Sequence, residues 1–417
     1  MRQQNRKAVT KKAVFRRLCD MEADRFTDTR KRQGRRYRNQ GLVHALMAGL
    51  LSNQSSLRHV ETLTDSLGAD MRRRLKIPRR ISDSKLRDKL LDLDIGDCQD
   101  ALVREVKAEH RRGNLDPVGF GFGIVAIDGK GIAKLNDWSY PGVQKVHPQD
   151  RAPYGLARVH RAFLISSKAA VCLHSREIPG DTNEIGSVKS FTGELLKSYQ
   201  RTDMFDMVMA DAGNCSKDYA GYLADQDKWY VLALKENHGD IFEEAVHGCV
   251  GEEESVVTRR ERGFRITYRL WRTPDPGHPE WTHLRQYVRV ERTLEGPDGS
   301  QTVGNRYYAT NMPMKRQSGE KWLELIRLYW RVENNGNWTS DAIWKEDRRR
   351  TLWTTDGRAL YALSVLRMIA QNILAVLRMQ TRREWDDKPP PWSALVALAY
   401  VIFVSGQTIE TDRLAFI

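Results

Sequence analysis

The sequence predicts an α/β protein in which a helical amino-terminal segment precedes a mixed sheet carrying a β-rich insertion. Three observations support this. Apolar residues recur at helical spacing up to about residue 115. From about residue 118, short apolar runs bounded by turn residues alternate with helical stretches. Between about 236 and 315, segments of period-two alternation are punctuated by Gly and Pro. The expected divisions are 1–115 (a basic helical domain that could bind DNA), 116–235 (first part of the core), 236–315 (β-rich insertion) and 316–417 (core helix and terminal helices).

In chain order, Gly41 to Leu51 reads as an apolar helix and Leu63 to Lys76 as a more polar one. Ser82 to Val106 carries Leu86, Leu90, Leu91 and Leu93, and Pro78 with Ile81-Ser82-Asp83-Ser84 breaks and recaps the chain before it. Val118–Asp128 reads as a buried strand. Arg158–Ser166 and Ala169–Ile178 read as a hairpin, with only Ser167-Lys168 between them. Glu184–Tyr199 is expected to be a helix, Asp206–Asp211 a strand, Cys215–Asp225 a helix and Trp229–Leu234 a strand. Three strands, helix, strand, helix, strand is the order of a ribonuclease-H-like core, a mixed sheet with helices on its faces. Val256–Thr273, Leu284–Thr293 and Val303–Thr310 alternate, with Gly263, Pro274, Pro276, Gly296, Pro297 and Gly299 as turns, so the insertion is expected to interrupt that core. Helices return at Lys321–Lys345, Gly357–Met379 and Trp392–Val404.

The 417 residues suffice for two or three domains, and a net charge of +14 points to a polyanionic partner, nucleic acid before an anionic membrane. Residues 1–40 hold 14 Lys/Arg against 4 Asp/Glu, so the excess is concentrated at the amino end. The start lacks the apolar stretch of a secretory signal. Trp392 to Val404, 13 residues, is too short to span a bilayer, so a membrane role is not expected. The five cysteines form no C-x-x-C pair and the ten histidines have no ligand spacing, which excludes a zinc site or disulfide framework as the organising feature. Gly129-Lys130 lacks the upstream glycine of a phosphate-binding loop, and neither G-x-S-x-G nor H-E-x-x-H occurs.

The chemistry is expected from three acids. Asp128 ends the run Ile124-Val125-Ala126-Ile127, Asp211 ends Met207-Val208-Met209-Ala210, and Glu333 lies in the helical stretch Trp322 to Trp344. Carboxylates at the ends of core strands are costly unless they hold a cation or a proton, and two strand-end acids plus a helix acid are what a pair of Mg²⁺ (or Mn²⁺) ions needs for phosphoryl transfer. The competing readings are structural: Asp128 closing a turn with Gly129, Asp211 capping the helix at Cys215, and the helix acids solvating a face anchored by Trp330, Trp338 and Trp344. Glu333 also has rivals in Glu324, Asp341, Glu346 and Asp347. Lys130, Lys235 and Arg327 are candidate grips on the scissile phosphodiester.

Several strings resemble those of bacterial insertion-sequence transposases of the DDE class, in the H-repeat-associated group. They are Ala126-Ile127-Asp128-Gly129-Lys130, Asn183-Glu184-Ile185, Ala210-Asp211-Ala212…Cys215, Tyr230–Asn237, and Arg327…Trp330-Arg331-Val332-Glu333-Asn334…Trp338…Asp341…Trp344-Lys345-Glu346-Asp347. Gly34-Arg35-Arg36-Tyr37 resembles the amino-terminal domain found with that core, so Arg35 and Arg36 are candidate DNA contacts. The chain departs from the family pattern at Gly131-Ile132-Ala133 and at Tyr329, where the family has a His. The resemblance implies a DNA transposase with Asp128, Asp211 and Glu333 as its metal-binding triad. Its partners would be the terminal inverted repeats of its element and target DNA. It would act as a homodimer at paired ends, in the cytoplasm of a bacterium and associated with the nucleoid. A ribonuclease-H-like nuclease without strand transfer, and an inactive DNA-binding remnant, share these features.

Overall fold

The computed structural model describes residues 10–407 apart from 32, 34, 262, 276, 333–337, 347–352 and 381–388. Six helices open the chain: α1 (Lys11–Asp20), α2 (Asn39–Leu51), α3 (Leu57–Ser66), α4 (Ala69–Leu75), α5 (Asp83–Leu91) and α6 (Ile95–Arg111). Four of these starts, those of α1, α3, α5 and α6, are set by short polar side chains. Thr10, Ser56, Ser82 and Asp94 each accept a backbone N–H from the first turn, of Ala13, His59, Lys85 and Asp97 respectively. The two longer helices expected at 63–76 and 82–106 are each divided. Gly68 caps α4 and Lys76 ends it in the left-handed region at φ 59°, while Asp94 starts α6 afresh.

The sheet begins with β1 (Ile124–Leu135), β2 (Val143–Val146), β3 (Tyr154–Leu164) and β4 (Val171–Glu177). It continues through α7 (Glu184–Tyr199), β5 (Met207–Ala210), α8 (Lys217–Asp225) and β6 (Trp229–Leu234). β4 pairs with β3 and β3 with β1, both antiparallel; β1, β5 and β6 then run parallel. Spatial order β4-β3-β1-β5-β6 with that alternation of direction is the ribonuclease-H-like sheet expected from the element order.

Two details differ. β1 does not end at Asp128 but runs on to Leu135, because β3 is long enough to pair it as far as Leu135↔Gly155. The short β2, absent from the expected elements, pairs with β3 from Val143↔Ala157.

After α9 (Asp240–Gly248), the strands β7 (Ser255–Glu261), β8 (Phe264–Pro274), β9 (Gln286–Glu295) and β10 (Gln301–Thr310) form a meander. The insertion interrupts the core in sequence and joins its sheet in space. β10 pairs antiparallel with β6, from Tyr307↔Leu234 to Thr310↔Val231, so one sheet of ten strands runs through the described residues. The chain closes with α10 (Gly319–Val332), α11 (Trp338–Trp344), α12 (Gly357–Gln380) and α13 (Trp392–Ser405).

α12 is the centre of the molecule. Every residue from Ala359 to Leu377 is buried, and the helix packs on α2, α6 and β4, joining the amino-terminal helices and the sheet in one apolar cluster. It is long and apolar enough to cross a membrane, and that whole stretch is enclosed within the fold. α13 buries only one face, with Tyr400 exposed.

Beneath the sheet lies a buried ionic cluster. Glu346, fully buried, accepts from Arg161 Nη2 through both carboxylate oxygens at 2.9 Å; Lys130 Nζ lies 3.4 Å from Oε2 and Arg367 Nη1 3.6 Å from Oε1. Ser364 and Ser340 accept from the same guanidinium at 2.8 and 3.3 Å. Burial pushes the Glu346 pKa up, but the opposed charges of Arg161, Lys130 and Arg367 outweigh it and hold the carboxyl at about 2.

Removing one partner of such a buried pair typically costs about 3–5 kcal/mol, because it strands the others. Glu346→Gln is therefore expected to lower the unfolding free energy obtained from urea titration by an amount of that order. A folded value below the unfolded one of about 4.3 means stability present above that pH and lost as pH falls toward about 2. The variant's stability should accordingly vary less than the parent's over that acid window, as urea titrations at several pH values would measure.

Candidate active site

The parallel pairing of β1 with β5 matches Ile127 with Ala210, so Asp128 and Asp211 follow on neighbouring strands, about 4.8 Å apart in backbone spacing. Both are half-buried. The structural readings do not account for them. Asp128 lies within β1, opposite Arg161, and not in a turn. The cap of α8 is Ser216, whose hydroxyl accepts from Tyr219 N, and Asp211 makes no side-chain cap bond; its Oδ1 accepts instead from Asn214 Nδ2 at 2.8 Å.

The two aspartates line a cleft of about 360 Å³ at the carboxyl ends of β5 and β6, beside β1 where it passes Asp128. Lys235 at the end of β6, Arg306 and Tyr308 on β10, and Tyr329 on α10 form its other walls. A crevice beyond the carboxyl ends of parallel strands is where α/β sheets bind ligands, since backbone and side-chain groups there point outward unpaired by a following strand.

Glu333 lies outside the described residues, as does its rival Asp347. Asp341 is held by Lys130 Nζ at 2.7 Å, and Glu346 is enclosed in the ionic cluster, so neither reaches the cleft. Glu324 is paired with Lys321 at 2.7 Å. Trp344, expected as a core anchor, is one: its Nε1 donates to the Leu50 carbonyl at 2.9 Å, tying α11 to α2.

Of the basic candidates, Lys235 alone lines the cleft. Lys130 is turned inward to Asp341 and Glu346, and Arg327 lies over the Tyr268 ring at 5.7 Å and 3.6 Å from Glu261. Arg35 and Arg36 are exposed on the amino-terminal module, Arg35 bound to Asp28 at 3.3 Å.

Sequence reasoning did not single out Glu184 as a site residue. Its carboxyl occupies the space a side chain at Gly129 would fill, and Oε2 lies 3.5 Å from where a Cβ on Gly213 would stand, with Asp211 Oδ2 at 3.4 Å from the same point. Glycines directly after Asp128 and two residues after Asp211 were the available signal. Burial, then the nearby charge of Asp211, raises the Glu184 pKa, against the pull of Arg158.

The donors that meet here are hard carboxylate oxygens, which suit Mg²⁺ or Mn²⁺. Among the described residues, no three His, Cys, Asp or Glu side chains gather as a metal-binding group, so two aspartates are the described part of any such site.

No family model matches the chain. It is 25% identical over 268 residues to a protein of Escherichia coli O157:H7 named "Putative transposase YncI", covering 60% of this chain. It is also 25% identical over 294 residues to "Putative protein YbfL" of Escherichia coli K12, covering 64% of this chain. The chain spans 61% of the length of the first and 69% of the second. The likeness to a transposase read from the acid motifs is borne out by the first of these. Its structure is similar to that of piggyBac transposase in a synaptic complex with hairpin DNA, at 10% identity and TM-score 0.46, over 97% of this chain and 82% of that one.

A raised folded value for Glu184 means stability present below its unfolded pKa and lost as pH rises through the folded one. Glu184→Gln should therefore stabilise the protein relative to the parent at neutral pH more than at pH about 4. Urea midpoints of both proteins at the two pH values would check this; an equal difference at both would exclude the crowding of charge.

Proposed function

We propose that the chain is a DNA transposase of the H-repeat-associated group, binding the terminal inverted repeats of its element and cleaving and joining DNA strands. The observation that carries this reading is the side-by-side placement of Asp128 and Asp211 on adjacent parallel strands at an open cleft. The relative named as a transposase supports it.

In this reading Asp128, Asp211 and Glu333 would hold two Mg²⁺ or Mn²⁺ ions. When bound, the ions lower the pKa of an attacking water or 3′-hydroxyl and offset charge on the leaving 3′-oxygen. The chain's own groups position the DNA. Lys235 at the cleft rim supplies a cation to the scissile phosphodiester, and Tyr308 and Tyr329 form part of the wall along which the strand lies. Lys130 acts indirectly: its bridge to Asp341 fastens β1, which bears Asp128, to α11. Target DNA enters the same cleft, and a homodimer brings two element ends together. The exposed arginines of the first forty residues, Arg35 and Arg36 among them, hold backbone phosphates.

Asp128→Asn and Asp211→Asn should each reduce Mg²⁺-dependent cleavage of labelled element-end DNA by at least about 100-fold, the loss that even outer partners of a metal site can produce. Binding of the same DNA should persist. Normal cleavage by either variant would reject the site, joined product with a target plasmid separates transposase from nuclease, and tight binding without cleavage by the parent marks a remnant.

End-DNA affinity should also fall steeply with salt, with a log–log slope of about −0.9 per phosphate contacted. Replacing Arg35 and Arg36 together by Ala should flatten that slope by up to about two units in a fluorescence-anisotropy series. An unchanged slope would remove both arginines from the interface.

A further inference from the structure

β1 passes the acid cleft and does not stop there. β5 pairs with it as far as Ile127, whereas β3 accompanies it to Leu135 and β2 lies along the far side of β3. Three strands therefore run on past Asp128 as a ribbon whose outer strand, β2, ends the sheet. The ribbon has a small core of its own, in which Ile132, Leu135, Val143 and Val159 close on Leu360 and Tyr361 of α12. Tyr361 Oη donates to the Gly142 carbonyl at 2.6 Å and Tyr140 Oη to Glu177 at 2.8 Å, so the turn between β1 and β2 is fastened at its base.

What this support presents outward is cationic. Lys134 Nζ lies 5.1 Å and the Arg151 guanidinium carbon 6.0 Å from the centre of the Tyr154 ring, and Lys145 Nζ lies 4.9 Å from that of Trp138. All three cations are exposed, and among the described residues none has a carboxylate partner. Of the two acids between 129 and 157, Asp137 accepts from Ser139 N and Oγ, and Asp150 has no ion-pair partner among the described residues. An aromatic face steadies a cation without neutralising it, so the charge stays available to a partner. Strand register puts these cations on both faces: Lys134 is opposite Leu156 and shares a face with Tyr154, while Lys145 is opposite Gly155 on the other. Trp138 crosses that second face, where a Cβ on Gly155 would stand 3.3 Å from its own.

Cations on either face of a free edge strand match the two backbones that border a groove of duplex DNA, about 12 Å apart across the major groove. Lys134 is six residues beyond Asp128, about 20 Å along an extended strand. We infer that this ribbon holds the duplex flanking the element, by its phosphates, about six base pairs outside the cut at about 3.4 Å per pair. Ammonium and guanidinium contacts to phosphates carry no sequence information, which suits DNA that differs at every insertion. The inference rests on the transposase reading above and adds to it a grip on DNA outside the element.

The test compares, by fluorescence anisotropy, element-end duplexes carrying about three or about ten base pairs of flank, lengths that stop short of the ribbon or pass it. The parent should bind the longer flank more than about tenfold more tightly at low salt, whatever the flank's sequence. Combined Lys134→Ala, Lys145→Ala and Arg151→Ala should lose that gain, flatten the salt slope on the longer flank by up to about 2.7 units, and bind the shorter flank as the parent does. Lys134→Gln with Lys145→Gln, which keeps both stems on their rings, should flatten the slope by up to about 1.8 units and stands in for the triple variant if that one fails to fold. Equal binding of both flanks by the parent, a gain that depends on flank sequence, or a slope kept by a folded variant overturns the inference and leaves the transposase reading intact. A parent that binds neither duplex overturns both.

Discussion

A single carboxylate with no solvent exposure organises the interior: Glu346, set against Arg161, Arg367 and Lys130. Burying that many charges is favourable only where opposed charges and hydrogen bonds satisfy one another, so the elements that bear them must meet in one geometry. Arg161 belongs to β3, Lys130 to β1 and Arg367 to α12, while Glu346 follows α11. Strand, neighbouring strand, central helix and short helix are thereby held in mutual register. The acid cleft is built on the same pair of strands, Asp128 standing directly opposite Arg161 in the ladder and two residues before Lys130. Lys130 of the internal clamp and Asp128 of the cleft thus stand two residues apart on one strand, which ties the position of Asp128 to the integrity of the buried cluster.

The acid cleft and the meander share a face of one sheet. Its parallel part, β1-β5-β6, ends in a crevice where Asp128, Asp211 and Lys235 emerge, and the antiparallel meander extends the same surface sideways through β10. The insertion is therefore a continuation of the platform. It brings Arg306, Tyr308 and Arg292 to the side of the acids, while α10 lays Tyr329 and Trp330 over them. Charge is apportioned along this surface: carboxylates crowd about Asp128 and Asp211, where Glu184 is pushed toward its neutral form by burial and Asp211, and Lys235, Arg306 and Arg292 follow to one side on β6, β10 and β9. Among the described residues, Arg292 and Arg306 have no carboxylate partner.

Some of this was legible from residues alone. The boundaries of α7 and of β6 coincide with those expected, because each is a short, strongly patterned segment closed by turn residues at both ends. The pairing of Asp128 with Asp211 followed from two apolar runs of strand length ending in acids, and parallel pairing of β1 with β5 juxtaposes them. The end of β1 was misjudged because Gly129-Lys130-Gly131 has little strand propensity of its own and is held extended by β3. Glu184, though it falls in the string Asn183-Glu184-Ile185, was not read as a site residue because what it meets is not local: its neighbours Gly129 and Gly213 come from two other elements. Lys130 read as a DNA contact by its place beside Asp128, yet its ammonium turns to Asp341, 211 residues away.

Sequence by itself determined the class of fold, the order of its core elements, the net basic charge and the two acids that follow apolar core runs, because each depends on local pattern or on composition. Tertiary structure decided what those features do for one another. It joined the insertion to the core sheet, sank α12 and Glu346 into the centre, withdrew Asp341 and Lys130 from the cleft and brought Glu184, Arg306 and Trp330 beside it. The physical reason is range: backbone propensity and periodicity act over a few residues, whereas ion pairing and cavity walls depend on distances between residues far apart in the chain.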